Sequence, residues 1–200
     1  MSDDAGLGVS TAEGALTRAL LDEITTEFPA FRLVLKEGDA LSNLIHWLLV
    51  VVTFGGQRSY RSHYHTVLGS SLYLAPSWRR MSDVDRVILL RHERVHLRQR
   101  ARYGWPLFAF LYLVPFFPLG LAYGRARIEW EAYVETMRAT VEFRGLSAVT
   151  DGNLRNELVR RFVGPDYGFM WPFPAVVHRW YDLALREIGN DFSPAPPGGC

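Results

Sequence analysis

Hydrophobic and polar residues alternate at helical spacing over residues 12–28, near the start of the chain. A buried stripe repeating every three or four residues predicts an amphipathic helix packed against a core. The residues of this stripe are Leu16, Leu20, Leu21 and Ile24.

Patterns typical of strands follow this helix. Residues 31–36 alternate in polarity, which predicts a short strand. A helix is expected up to about residue 52, and Gly55-Gly56 ends it. Residues 57–65 and 66–74 are rich in β-favouring side chains, which predicts a hairpin or two adjacent strands. Pro76 stops the second of these strands.

The second half of the chain predicts long helices. Ser82 followed by Asp85 resembles a capping box, and neither Gly nor Pro occurs from there to Gly104, so a helix is expected over 83–102. Further helices are expected over 119–143 and 175–188. The fold class is therefore α+β, mostly helical, with a small antiparallel β-sheet or hairpin before the helix at 83–102.

The helix at 83–102 contains the pentapeptide His92-Glu93-Arg94-Val95-His96, an HExxH pattern. Residues four apart lie on one face of a helix, so both imidazoles can reach one metal ion. Glu93 then lies beside the ion, where its carboxylate could take a proton from a metal-bound water. Two histidines with a carboxylate suit zinc.

Catalytic zinc usually has a third protein ligand. On the helix at 119–143, Glu129 shares a face with small residues, which is suited to close packing around a metal. Glu131 points about 160° away from Glu129. We therefore predict His92, His96 and Glu129 as metal ligands, with Glu131 as the rival acid. His63 and His65 alternate along a predicted strand and are alternative ligands.

HExxH followed about thirty residues later by E-x-x-A resembles the gluzincin branch of zincin metallopeptidases. The wider pattern also resembles small bacterial proteins with HExVHxxQ and then R-x-x-x-E-x-E-A-Y, here residues 92–99 and 125–133. The resemblance implies a minimal zincin-like domain in which His92, His96 and Glu129 bind zinc and Glu93 is the general base. Related gluzincins often have Asp or Asn where this chain has Tyr133, which could support a ligand or stabilise an oxyanion.

The expected function is a zinc-dependent metallopeptidase that hydrolyses a peptide or protein substrate. The resemblance also implies that the strand at 66–74 is an edge strand that pairs with extended substrate. His178 could assist the transition state or serve only in packing. The alternative is a non-catalytic metal-binding scaffold, or a membrane-associated binding protein with a structural metal.

Composition and charge indicate the number of domains, the class of partner and the cellular location. The chain has 200 residues and a net charge of +1, which indicates one domain at 12–190 and no nucleic-acid partner. A flexible N-terminus at 1–11 and a Pro/Gly-rich tail at 191–200 flank this domain. The only cysteine is Cys200, and no signal peptide is evident, so a cytoplasmic location is expected. The oligomeric state is left open.

Residues 105–123 carry no charge and include Pro106, Pro115 and Pro118. The length would permit a membrane span, but the prolines argue against a straight helix. We expect a buried or interfacial hairpin that joins the two ligand-bearing helices and could contact a membrane surface. The arginines clustered around the HExxH pattern are expected to form a solvated face, or to attract acidic substrate or anionic lipid.

Overall fold

The computed structural model describes residues 14–35, 66–68, 70–113, 122–164 and 169–192. The helices are α1 (Ala15–Glu27), α2 (Asp83–Tyr103), α3 (Trp105–Leu113), α4 (Tyr123–Arg144), α5 (Ser147–Thr150), α6 (Asn153–Val163) and α7 (Pro174–Phe192), with a 3-10 helix at Pro76–Arg80. The strands are β1 (Arg32–Leu35), β2 (Thr66–Leu68) and β3 (Ser71–Leu74). The predictions for the helix ending near residue 52, the strand at 57–65 with His63 and His65, and Cys200 lie outside the described residues.

The three described strands form a mixed sheet in the order β1-β3-β2. β2 pairs with β3 in antiparallel register, whereas β1 pairs with β3 in parallel register. The prediction of an antiparallel sheet is therefore wrong for β1, because the long connection between β1 and β3 permits a parallel pairing that a tight hairpin could not.

The predicted single strand at 66–74 is also corrected. The chain reverses between Leu68 and Ser71, which face each other across the β2–β3 pair. β3 has a neighbouring strand on both sides, so it cannot be the edge strand that the resemblance implied. Of the segment at 66–74, β2 alone lies at an edge among the described strands.

The predicted apolar stripe of α1 is confirmed for Leu20, Leu21 and Ile24, which are buried. It is wrong for Leu16, which is 44% exposed, while the neighbouring Thr17 is fully buried. The periodicity of the sequence could not show this exchange, because a residue from another helix causes it.

That residue is Asp83, the first residue of α2. Its carboxylate accepts hydrogen bonds from the Leu16 and Thr17 amides, at 3.1 and 3.0 Å, and from Thr17 Oγ1 at 2.5 Å. The first turn of α1 thus receives the carboxylate cap that its own sequence lacks. Gly14 permits this approach, since a Cβ there would lie 2.0 Å from the carboxylate.

The start and end of α2 follow the sequence prediction. Ser82 Oγ accepts a hydrogen bond from the Asp85 amide at 3.1 Å and donates one to the Asp85 carboxylate at 2.5 Å. The helix stops at Gly104, whose φ of 72° favours glycine.

Two apolar cores lie on either side of the packed pair α2 and α4. One joins α2 to α1 and the sheet, and its fully buried residues include Ile24, Leu72 and Leu90. The other joins α4 to α5, α6 and α7, around Met137, Phe162 and Tyr181. Side chains at the α2–α4 contact are therefore held from both sides.

The arginines on the outer faces of α2 are not a simple solvated surface. Arg91 bonds Glu135 at 2.6 Å across α2 and α4, while Arg94 and Arg98 both bond Glu27 of α1 at 2.6 Å. These ion pairs are partly exposed, so each contributes at most about 1 kcal/mol, but together they set how the helices dock.

The helices α5 and α6 were not predicted from the sequence. α7 is longer than its predicted range of 175–188. None of the described helices combines the length and apolar composition needed to cross a membrane.

Candidate metal centre

Three side chains from two helices converge in the α2–α4 interface. His92 and His96 extend from α2, and Glu129 comes from α4 with 2% of its surface exposed. Glu129 Oε2 lies 4.0 Å from His92 Nε2 and 3.9 Å from His96 Nε2. All the potential ligand atoms lie within 4.8 Å of one another, so this group could hold a metal ion.

The spacing is wider than that of a bound zinc site. Bonds of about 2.0–2.2 Å in a tetrahedral arrangement place ligand atoms about 3.3 Å apart. The 3.9 and 4.0 Å separations from Glu129 Oε2 would contract by about half an ångström on binding, and all separations in the group are within 4.8 Å. The donor set of two imidazole nitrogens and one carboxylate oxygen also suits zinc.

A hydrogen-bond relay orients the His92 ring. His92 Nδ1 lies 3.0 Å from Thr136 Oγ1, and Thr136 Oγ1 donates to the Ala132 carbonyl at 3.2 Å. Because the Thr136 hydroxyl donates its proton to that carbonyl, its oxygen accepts a hydrogen bond from the Nδ1–H of a neutral His92. The lone pair of Nε2 is then directed toward Glu129, as a metal ligand requires.

Gln99 orients the His96 ring through a second set of hydrogen bonds. Its amide nitrogen donates to the Ile128 carbonyl at 3.0 Å and to Glu131 Oε2 at 2.9 Å. This fixes the amide so that Oε1 faces His96 Nδ1, 3.0 Å away. An amide oxygen can only accept, so His96 carries its proton on Nδ1 and presents Nε2 to the centre.

Burial lowers the pKa of His92 well below its usual value, and the nearby His96 and Arg161 lower that pKa further. Because the charged form is disfavoured, His92 is neutral at pH 7. A neutral imidazole is the form that binds a metal ion.

Glu93 lies at the wall of a cleft of about 480 Å³ beside these ligands. Its side chain is largely buried, and His92 and Tyr133 line the same cleft, while His96 and Glu129 do not. The apolar part of the lining comes from Met81, Ile88, Leu89, Leu154 and Leu158. The centre thus opens to solvent on the side that carries His92 and Glu93.

Tyr133 occupies the position where the resemblance implied an Asp or Asn. Its ring packs edge-on against His92, with ring centroids 4.8 Å apart. Arg161 Nη1 donates to the Tyr133 hydroxyl at 3.0 Å, and Arg161 also pairs with Glu157 at 2.5 Å. A phenol and a guanidinium therefore lie together in the lining of the cleft, next to His92.

The structure brings together the predicted His92, His96 and Glu129, with Glu93 and Tyr133 beside them. Glu131 is exposed and bonds Gln99 instead of joining the ligands. His178 does not line the cleft.

Helical spacing places Gln99, seven residues after His92, on the face of the histidines, and Thr136, seven after Glu129, on the face of that acid. Sequence reasoning assigned neither residue a role, and it missed Arg161. Nothing in the sequence pattern indicated Arg161, because its helix was not predicted.

Comparison of the chain with protein-family models, curated proteins and solved structures gave no match.

Proposed function

We propose that the protein is a zinc-dependent metallopeptidase with a zincin-like site. The observation that carries this proposal is the convergence of His92, His96 and Glu129 in a buried interface, with Glu93 of the same HExxH pattern at the adjoining cleft. A structural clamp would explain the three grouped side chains, but it does not require a carboxylate from the same HExxH pattern in the lining of the cleft.

In this proposal His92, His96 and Glu129 hold the ion from two helices. Bound zinc would supply a Lewis acid and lower the pKa of a water toward about 7. Glu93 accepts the proton of the attacking water and later delivers it to the leaving amine. Its largely buried position makes proton transfer to bulk solvent a weaker competitor.

The remaining polar groups of the cleft would act on the substrate carbonyl. Tyr133 and Arg161, which both line the cleft, would stabilise negative charge that develops on its oxygen, and such a donor contributes about 2.7–4 kcal/mol in other enzymes. The apolar lining would accept apolar side chains of a peptide, and β2, at one end of the order of the described strands, would pair with an extended chain.

The test is Glu93→Gln, which keeps the size of the side chain and removes the base. We expect zinc content equal to wild type and loss of cleavage of a peptide library, read by mass spectrometry. Glu187→Gln on the exposed face of α7 is the matched control and should cleave as wild type does. Wild-type cleavage by Glu93→Gln would contradict the proposed role of Glu93.

The alternative is a non-catalytic scaffold with a structural metal. It predicts four protein ligands, whereas a catalytic centre keeps one position for water. Among the described residues, the ligand group contains three. X-ray absorption spectroscopy of the zinc-loaded protein distinguishes the two, because a fourth protein nitrogen or sulfur would indicate the scaffold.

A further inference from the structure

One side of α3 exposes several large apolar side chains to solvent. Trp105, Leu107 and Phe110 are 60%, 48% and 52% exposed, and Pro106 between them is exposed as well. At 100° per residue, these four positions cover one continuous side of the helix. This side, called here the α3 face, carries no polar side chain.

The opposite side of α3 is anchored to the fold. Leu111 packs on Gly124, where a Cβ would lie 3.0 Å from the Leu111 side chain. Next to Gly124, Tyr123 is 52% exposed and its ring stacks at a tilt on Trp171, 5.2 Å away. The start of α4, which packs on this opposite side of α3, therefore also carries an exposed aromatic ring.

The stretches of chain on either side of α3 carry charge of a single sign. Residues 97–128 contain five arginines and no Asp or Glu. Arg98, Arg100 and Arg102 precede α3, while Arg125 and Arg127 follow it. Arg98 is paired with Glu27, whereas Arg102 is exposed at the end of α2. Arg127, near the start of α4, is exposed as well, and its guanidinium lies 5.6 Å from the centre of the Trp180 ring.

We propose that the α3 face docks on an anionic lipid bilayer, with the flanking arginines at the phosphate level. Exposed aromatic and aliphatic side chains insert at the boundary between headgroups and acyl chains, and arginines bind the anionic headgroups. A protein partner would require a complementary acidic and apolar surface, whereas a bilayer combines an anionic headgroup layer with an apolar interior. In this proposal the protein binds to the surface of the bilayer and does not cross it.

Docking in this way would also hold the candidate metal centre close to the membrane surface. His96 lies seven residues before the end of α2, which corresponds to about 10 Å along the helix axis. If the proposed peptidase function holds, its substrates include peptide segments close to a membrane surface. The bilayer contact itself does not depend on that function.

Vesicle flotation of the full chain tests the proposal. Wild type should float with vesicles made of equal parts phosphatidylcholine and phosphatidylglycerol, and much less with phosphatidylcholine alone. Trp105→Ser/Phe110→Ser should reduce the partition coefficient at least tenfold. The matched control is Leu183→Ser/Phe192→Ser, which removes two exposed apolar side chains from α7 and should partition as wild type does.

The charge contribution is tested with Arg102→Gln/Arg127→Gln against Arg18→Gln/Arg179→Gln, since all four arginines are exposed. About 1 kcal/mol per arginine near an anionic surface corresponds to about a fivefold change each, so about 25-fold for the first pair. The second pair should change partition far less.

Three outcomes would overturn the proposal. In the first, wild type does not bind anionic vesicles. In the second, Trp105→Ser/Phe110→Ser floats as well as wild type. In the third, sedimentation velocity without vesicles shows a dimer that this double substitution dissociates, so that a second copy covers the face. Zinc content and peptide cleavage are measured separately in solution, so failure of docking and failure of the peptidase proposal give different results.

Discussion

The orientation of His96 by Gln99 gives a quantitative prediction. Gln99 is 4% exposed and makes its hydrogen bonds to His96, the Ile128 carbonyl and Glu131. Gln99→Leu keeps a similar volume and removes all of these bonds. His96 Nδ1 then loses the acceptor that directs Nε2 toward the centre.

The size of the effect follows from these bonds. Loss of a partner that orients a ligand histidine costs 10–100-fold in metal affinity in comparable sites, or about 1.4–2.7 kcal/mol. The Ile128 carbonyl is also left without this donor, which lowers the stability of the folded protein by about 1–3 kcal/mol. We therefore expect a weaker zinc complex and a lower melting temperature.

The assay is competition for zinc against a fluorescent chelator at pH 7. Arg98→Leu, on the neighbouring exposed position, is the control and should bind zinc within about twofold of wild type. Zinc affinity equal to wild type in Gln99→Leu would refute the orienting role.

A paired exchange sharpens the test. Gln99→Glu retains an acceptor for His96 but directs a carboxylate at Glu131, so it should also weaken zinc binding. Adding Glu131→Gln restores a donor facing residue 99 and should recover part of the affinity. An effect of the double substitution equal to the sum of the two singles would argue against a direct bond.

Two further predictions concern stability and pH. Burial raises the pKa of Tyr181 to about 12, and its hydroxyl donates to the Val149 carbonyl at 2.8 Å. This contribution to stability is complete below the usual tyrosine pKa of about 10 and is lost as pH rises toward the folded value. Chemical denaturation should therefore show a steeper alkaline loss in wild type than in Tyr181→Phe, and parallel curves would contradict it. The hydrogen bond from Thr17 is the main cause that lowers the pKa of Asp83, aided by the Thr17 and Leu16 amides. Its contribution is present above the usual Asp pKa and is lost as pH falls through the lowered value, so Asp83→Asn should reduce the melting temperature at pH 7 and flatten its acid dependence. An unchanged acid limb in Asp83→Asn would show that the cap does not stabilise α1.

The helix faces that carry His92, His96 and Glu129 were predictable because each depends on geometry within one helix. The spacing of His92 and His96 fixes them on one face of α2, and helical angles separate Glu129 from Glu131 on α4. The predicted capping by Ser82 likewise depends on residues within one turn.

What the sequence did not reveal depends on tertiary contacts. Leu16 is exposed because Asp83, distant in sequence, caps α1 and draws Thr17 inward. The sequences of β1 and β3 do not predict that the two strands pair in parallel. Alternation of apolar and polar residues determines which face of a strand is buried, but it does not determine which strand lies beside it. Arg161 reaches the cleft only because α6 packs beside α4.

The most direct measurement is the zinc content of purified wild type, Glu129→Ala and Glu131→Ala by elemental analysis. One zinc per chain in wild type and in Glu131→Ala, with little or none in Glu129→Ala, is the result we predict. Stoichiometric zinc in Glu129→Ala, or none in wild type after loading, would contradict a metal centre formed by two histidines of α2 and one acid of α4.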